Sequence, residues 1–419
     1  MLQILRNAWK VEELRKKILY TLFMLLIYRL VGIVPTPGVN SAIIAEAVAG
    51  SDLWGMLNII NGGNFANFTL LAMGISPYIT ASIVMQLLTM AIPKLEEMQK
   101  QGEEGRRKIQ TYTRYATILL GAIQAIGIII GMGPTAVYNP GFFTYFTIAV
   151  AMAAGTAFAM WLGERITEKG IGNGVSLLIL VGVVAALPAQ FRNIIVGYIQ
   201  DPSKIWTAPV IIVSFALLIV GIVCIDIGER RIPVQYAKRV VGRKMYGGQS
   251  THLPLKVNST GVLPLIFASS IIQFPMIIAS FWPGARFTQW FNTVFRSTGP
   301  VYMIVFALLI VGFTFFYSSV SFNPIEISKN LQQNGGFIPG IRPGRSTSDY
   351  IRRISNRIVS FSSVFLAVIA IIPTLFLALT GMVAPFTATG ILIVVSVSIE
   401  TTKKIESQML MRHYKGFLH

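Results

Sequence analysis

The sequence is short of charge. Of its 419 residues, 12% are Asp, Glu, Lys or Arg and 53% are apolar, whereas a soluble domain carries about 25% charged residues. Apolar stretches recur along the whole length, which excludes a water-soluble globule and predicts a polytopic membrane protein. Cysteine is nearly absent. The single thiol, Cys224, lies in an apolar run, which excludes an intrachain disulfide and argues against redox chemistry. Histidine is scarce too: His252, His413 and His419 fall in polar connections and read as surface residues rather than metal ligands. No HExxH helix is present, and no P-loop, so ATP hydrolysis by that route is excluded. Gly170-Ile-Gly-Asn-Gly174 resembles a phosphate-binding glycine run. It follows an apolar span rather than a strand, and so reads as a tight turn between helices. Carboxylates are missing from span centres, since Asp226 and Glu400 fall at span ends. Proton- and ion-coupled carriers use intramembrane carboxylates. These absences weigh against an enzyme and against a coupled carrier, and no cofactor or metal is expected.

What is present is a series of apolar runs. The first, from Ile18 to Val34, follows a basic amphipathic stretch, contains Arg29 and lacks a small-residue cleavage site, so it reads as a retained span. Further runs of about 17–23 residues begin near Ile75, Tyr115, Phe143, Val175, Ala208, Gly261, Val301, Ile358 and Pro385, ten spans in all. The stretch from Leu53 to Leu71 is apolar but carries Asn58, Asn61, Asn64 and Asn67 and is split by Gly62-Gly63. Four amides make a poor lipid-facing helix. Two readings fit it: a re-entrant half-helix, or an amphipathic helix on the outer surface. With ten spans, 30 of the 35 Lys and Arg fall on one side and 4 on the other, with Arg29 inside a span. The positive-inside rule makes the rich side cytoplasmic, with both termini there.

Two connections on that side are long. Residues 229–259 show alternating character around Ile232–Tyr236 and Tyr246–Thr251, which predicts a β-hairpin-like projection with Lys238, Arg239, Arg243 and Lys244 near its tip. Residues 321–356 begin with Asn-Pro, contain Gly-Gly and Pro-Gly turns and end in basic residues, which predicts a second projection. Loops this long are functional or disordered. Anionic lipid, ribosomal RNA or an acidic protein surface would suit their charge. Within the spans, Ile79 and Ile83 share a helix face, as do Ile179 and Val183. Periodicity alone makes such pairs lipid-facing or core more often than pore-lining.

Six long stretches are more specific: GISPYITASIVMQLL, EEGRRKIQTYTRY, WLGERITEKGIGNGVS, RRIPVQYAKR, QSTHLPLKVNSTGVLPLIFASSI and FNPIEISKNLQQNGGFIPGIRPG. In this order and spread over the chain, they resemble the SecY family, the central subunit of the bacterial Sec protein translocase. The outward loop after Phe281 and the C-tail are short for the family.

The resemblance implies an all-α polytopic membrane protein of ten transmembrane helices in two inverted five-helix halves around an hourglass pore, with a re-entrant plug half-helix. The halves would be residues 1–190 and 191–419, with residues 229–259 and 321–356 as the cytosolic docking loops. The plug, residues 55–68, would include Asn58, Ile59, Ile60, Asn61, Gly62, Gly63, Asn64, Phe65 and Asn67. Ile79, Ile83, Ile179, Val183, Ile266 and Ile393 would form an aliphatic pore ring that excludes water and grips nothing. Gln86, Gln124, Gln273 and Phe274, with Pro275, would lie at a lateral gate opening to lipid. For the glutamines, ordinary interhelical amide bonds are an equal reading. Arg342 in the second projection, and Arg239 and Arg243 in the first, would dock the SecA motor or the ribosome. A solvated positive-inside charge is the plain alternative for any single arginine, and the motif match outweighs it for Arg342. The implied function is a protein-conducting channel in the plasma membrane, non-enzymatic. Its partners would be SecE, SecG, SecA, the ribosome, signal-sequence-bearing preproteins and membrane lipid including anionic lipid, and not DNA. The rival is a secondary transporter of a small solute.

Overall fold

Each expected apolar run overlaps one long helix. The computed structural model describes residues 2–49, 54, 58, 61–200, 202, 206–236, 239–241, 244–246, 250–282, 285–296, 299–380 and 388–415. Among these residues ten helices have 16 residues or more: α1 (Glu12–Val31), α2 (Ser76–Ala91), α3 (Glu103–Met132), α4 (Phe142–Lys169), α5 (Gly174–Gln200), α6 (Thr207–Ile227), α7 (Leu263–Ser280), α8 (Pro300–Ser321), α9 (Arg345–Thr380) and α10 (Ala388–Lys415). The proposed start of the last span at Pro385 lies outside the described residues. Pro77, Pro264 and Pro300 sit in the first turns of α2, α7 and α8, where a missing N–H costs nothing.

Length and apolarity alone qualify fewer than ten helices as spans. Five, namely α3, α4, α6, α8 and α9, qualify by themselves, and α2 with helix Pro93–Lys100 qualifies as a pair bent by 100°. The apolar parts of α5 and α7 are shorter, and both helices contribute to the interior core. The outward faces of the bundle are apolar. Little of α6 is buried, and Ile212, Val213, Leu217 and Val220 are exposed. A soluble protein does not leave patches of this kind open to water; hydrocarbon is the solvent that suits them.

Helix packing separates the chain into two sets. Helices α1–α5 pack among themselves and α6–α10 among themselves, while α5 meets α10 and α7 meets α2 and α3 across two seams. One continuous core, from Met24 and Tyr28 through Ile179 and Val183 to Ile272 and Ile393, crosses both sets.

Five strands lie at one end of the bundle. β1 (Glu229–Tyr236) pairs antiparallel with β4 (Ser250–Lys256), and β2 (Arg239–Val241) pairs with β3 (Lys244–Tyr246) beyond them. The hairpin reading is correct, but its returning strand runs 250–256 rather than 246–251, because Tyr246 belongs to the tip. The second projection joins the same sheet: β5 (Gly336–Phe337) pairs with the other edge of β1, giving the order β4-β1-β5. Ile232, Val234 and Leu255 from the first projection and Ile338 and Ile351 from the second are buried in one small core. The Asn323 side chain caps helix Pro324–Gln333 by accepting from the N–H groups of Ile325 and Glu326. The two projections are one body.

Candidate functional site: an apolar constriction and the segment that fills it

On α7, Ile266, Ser269, Ser270 and Gln273 recur at i, i+3, i+4 and i+7, which places them on one helix face. That face meets Ser76 and Ile79 of α2, Ile179 and Val183 of α5, Gly390 and Ile393 of α10 and Tyr28 of α1 around a cavity of about 40 Å³. The space is too small for a polypeptide. Five of the six proposed ring residues therefore meet; Ile83 is buried but does not line this cavity. No charged side chain lines it. The serines and Tyr28 were missed from the sequence, although the α7 periodicity would have found Ser269 and Ser270 once Ile266 was known.

Asn61 and Ile75, from the segment between α1 and α2, complete the lining. Within that segment Trp54 and Asn58 are helical, while residues 61–75 run as successive turns. The half-helix expected over Leu53–Leu71 thus does not continue through its second part, and the asparagines and glycines explain why. Asn58 Oδ1 accepts from Ala66 N at 2.8 Å, and Asn58 O accepts from Gly63 N at 2.8 Å. Asn side chains offer the backbone such alternatives to helix. Gly62 and Gly63 take φ of 69° and 86°, and even Phe68 takes 43°. Ile59 and Ile60 lie outside the described residues.

The segment is embedded rather than laid on the surface. Phe65 and Phe68 are each 1% exposed, and Asn61 and Asn64 are buried. The phenyl rings pack among Val39, Ile44, Ala125, Ile129 and Met152, and Trp54 stacks on Phe65 with centroids 5.6 Å apart. Glycines on both sides let the segment approach the surrounding helices. A Cβ on Gly62 would stand 2.7 Å from the Gly182 carbonyl oxygen of α5, and one on Gly155 of α4 would stand 1.9 Å from the Leu70 oxygen.

The seam of α7 with α2, α3 and α8 holds the other candidates, in three separate surroundings. Gln86 lies beside the Tyr317 hydroxyl of α8, Gln124 is buried within α3, and Gln273 lines the cavity. Phe274 faces outward, exposed. Pro275 lies inside α7 and has no N–H for the Ile271 carbonyl. Phe281, just past α7, fills the notch left by Gly127 of α3, where a Cβ would be 2.6 Å from its ring.

At the sheet end, Arg239 lies in β2 opposite Tyr246, and Arg243 is outside the described residues. Arg342 is exposed on a loop whose backbone is pinned: Thr347 Oγ1 donates to Arg342 O at 2.8 Å, and Ser328 Oγ donates to Gly344 O at 2.7 Å. The turn at 170–174 connects α4 to α5. There Asn173 Oδ1 accepts from the N–H groups of Val175 and Ser176, so the glycine run is structural.

Asp226 has a role that sequence reading missed. At the sheet end of α6 it accepts from Asn258 Nδ2 at 2.7 Å and from Ser396 Oγ of α10. Asn258 and Ser396 are buried, so Asp226→Ala leaves two buried donors without this acceptor. The expected cost is about 2–4 kcal/mol, measured as a lower unfolding midpoint in detergent; an unchanged midpoint would show that water replaces the carboxylate.

Comparison with known proteins agrees with this geometry. The SecY family model matches residues 69–402. The chain is 46% identical to the protein translocase subunit SecY of Halalkalibacterium halodurans and 43% identical to that of Bacillus subtilis, in each case over 100% of both chains. Among solved structures, a protein-conducting channel matches with TM-score 0.65 and 18% identity over 94% of this chain and 92% of its own. A SecY whose plug domain stabilises the closed state of its translocation channel and maintains a membrane seal matches with TM-score 0.65, 20% identity and the same coverage. Sec61 in the canine ribosome–channel complex from the endoplasmic reticulum matches with TM-score 0.61, 17% identity and the same coverage again. The matched residues, the full-length identity and the shared fold all lead to one conclusion: the chain belongs to the SecY family.

Proposed function

We propose that this chain is the protein-conducting channel of a Sec translocase, moving unfolded secretory polypeptides across the plasma membrane and releasing apolar segments sideways into lipid. The observation that carries the reading is the constriction. Aliphatic side chains from α2, α5, α7 and α10 converge on one small cavity whose lining holds no charge. Such a ring excludes water when collapsed and offers a passing chain no ionic or bidentate contact that would hold it. Residues 58–67 act as the plug, and the seam of α7 with α2 and α3 acts as the lateral gate.

The halves divide at the α5–α6 connection rather than at 190/191, because α5 continues to Gln200, and the sheet end faces the cytoplasm with both termini. This orientation rests on the lysine and arginine asymmetry. The sheet and the Arg342 loop form one docking platform for a motor ATPase or the ribosome, and SecE and SecG pack against the lipid-facing helices. The chain itself catalyses nothing.

The test is reconstitution of the purified protein, with SecE- and SecG-like subunits, in vesicles supplied with SecA, ATP and a preprotein. The preprotein should become protease-protected in an ATP-dependent manner. Absence of protection, with a known translocase working alongside, would remove the reading.

A further inference from the structure

Arg29 lies inside an apolar span, two residues from the last residue of α1. Arginine within a membrane span is costly and marks function by default. Near a helix end its long side chain ordinarily snorkels to lipid headgroups. Here it turns inward instead: Arg29 Nη1 donates to the carbonyl oxygen of Gly62 at 3.4 Å. Among the described residues no carboxylate pairs with it.

Gly62 is also the point at which the plug meets the opposite wall, Gly182 of α5, next to Val183 of the constriction. On either side of Arg29, the same end of α1 contributes Tyr28 to the cavity lining beside Asn61 and Gly32, on which the Asn64 amide rests. The Gly62 peptide is therefore bracketed, with a guanidinium on one side and a backbone surface on the other.

We propose that Arg29 is the positioning residue that seats the plug, latching the Gly62 carbonyl against Gly182 in the resting protein. A carbonyl at a φ-positive glycine turn has no helical N–H to satisfy it, and a cationic donor binds it more strongly than a neutral one. Backbone recognition also leaves the plug side chains free to differ. An advancing polypeptide has to break this contact before the plug can leave. The consequence for conduction rests on the channel reading, but the latch itself does not.

The experiment places a spin label at Asn67→Cys, an exposed plug position, in a Cys224→Ser background, with the protein in vesicles. Arg29→Leu removes the donor and also lowers the cost of inserting α1, so the helix still spans. The label should become mobile in Arg29→Leu and stay immobile in Arg29→Lys, which keeps a cationic donor. Resting ion conductance should rise about tenfold in Arg29→Leu. If the label is equally immobile in Arg29→Leu and the parent, the arginine is a headgroup anchor and the latch is wrong. If Arg29→Leu and Arg29→Lys mobilise the label equally, the guanidinium acts through packing rather than as a cationic donor, which also overturns the proposal. A mobile label in Arg29→Leu alone, without any rise in conductance, supports the latch and removes the closed-channel reading instead.

Discussion

Ile266→Asn makes the resting protein leak ions, about tenfold or more above the parent, and lets preproteins with weakened signal sequences pass. Ile266 faces a cavity whose walls otherwise seal by excluding water. Burying an isoleucine side chain is worth about 1.5–3 kcal/mol, and an amide in its place is content only when hydrated. The closed state loses most of that term, while an open, wet state loses none of it. The structure sharpens the expectation by separating Ile266 from Ile83. Ile83 is 3% exposed and lies away from the cavity. Ile83→Asn should therefore bury an unsatisfied amide, costing about 1–3 kcal/mol of stability, with little change in leak. Planar-bilayer conductance and thermal unfolding of the two variants separate the effects. Equal leak in Ile266→Asn and the parent would take Ile266 out of the seal; a leaky Ile83→Asn would place the constriction one turn further along α2.

Much of the fold could be read from the residues because lipid enforces a simple rule. Backbone polar groups in hydrocarbon need helical partners, so each apolar run had to become a helix. Glycine, proline and charge marked where each one stopped. Strand alternation was equally visible in Ile232–Tyr236, since β1 buries one face and exposes the other. What could not be read was contact between distant segments. Nothing in Gly336-Phe337 distinguishes a strand two residues long from a turn; its identity comes from the edge of β1 that it meets. Asp226 looked like a span-end charge because its partners, Asn258 and Ser396, lie 32 and 170 residues away.

The segment between α1 and α2 shows the same limit from the other direction. From the sequence its asparagines make a poor lipid-facing helix, and a re-entrant half-helix and an amphipathic surface helix both fit them. In the structure they fold the chain upon itself, and Phe65 and Phe68 anchor it in a core shared with α3 and α4. Removing residues 58–67 would therefore cost the packing of Phe65 as well as any seal the segment provides. Point changes at its seat interrogate gating more cleanly than deletion does. The glycines that make the seat, Gly62 and Gly155, carry no side chain for a pattern to detect. Only their neighbours' backbone atoms, within 3 Å of where a Cβ would be, reveal their purpose.

Arg342→Glu should abolish motor-driven translocation while leaving the membrane bundle untouched. The side chain is exposed, so reversing its charge disturbs no buried contact. Its backbone, by contrast, is fixed by the Thr347 hydroxyl on its own carbonyl and by the Ser328 hydroxyl on Gly344. Pro343 and the positive φ of Gly344 stiffen the same turn. A guanidinium on a stiff turn is a pre-oriented fork for a carboxylate or carbonyl on a docking partner, and little entropy remains to be lost on binding. Losing such a pair at an interface costs about 2–5 kcal/mol, at least about thirtyfold in affinity. Because β5 leads into this turn from the edge of β1, the two projections form one surface, and a partner docked on both would keep part of its hold through β2 and β3. The expected pattern is residual motor binding, little ATP-driven translocation, and unchanged unfolding and ion leak. Lys94→Glu reverses another exposed charge, on helix Pro93–Lys100 outside the sheet, and should be nearly silent. Translocation by the Arg342→Glu channel at the parental rate, with the motor limiting, would reduce Arg342 to a solvated charge that serves topology alone.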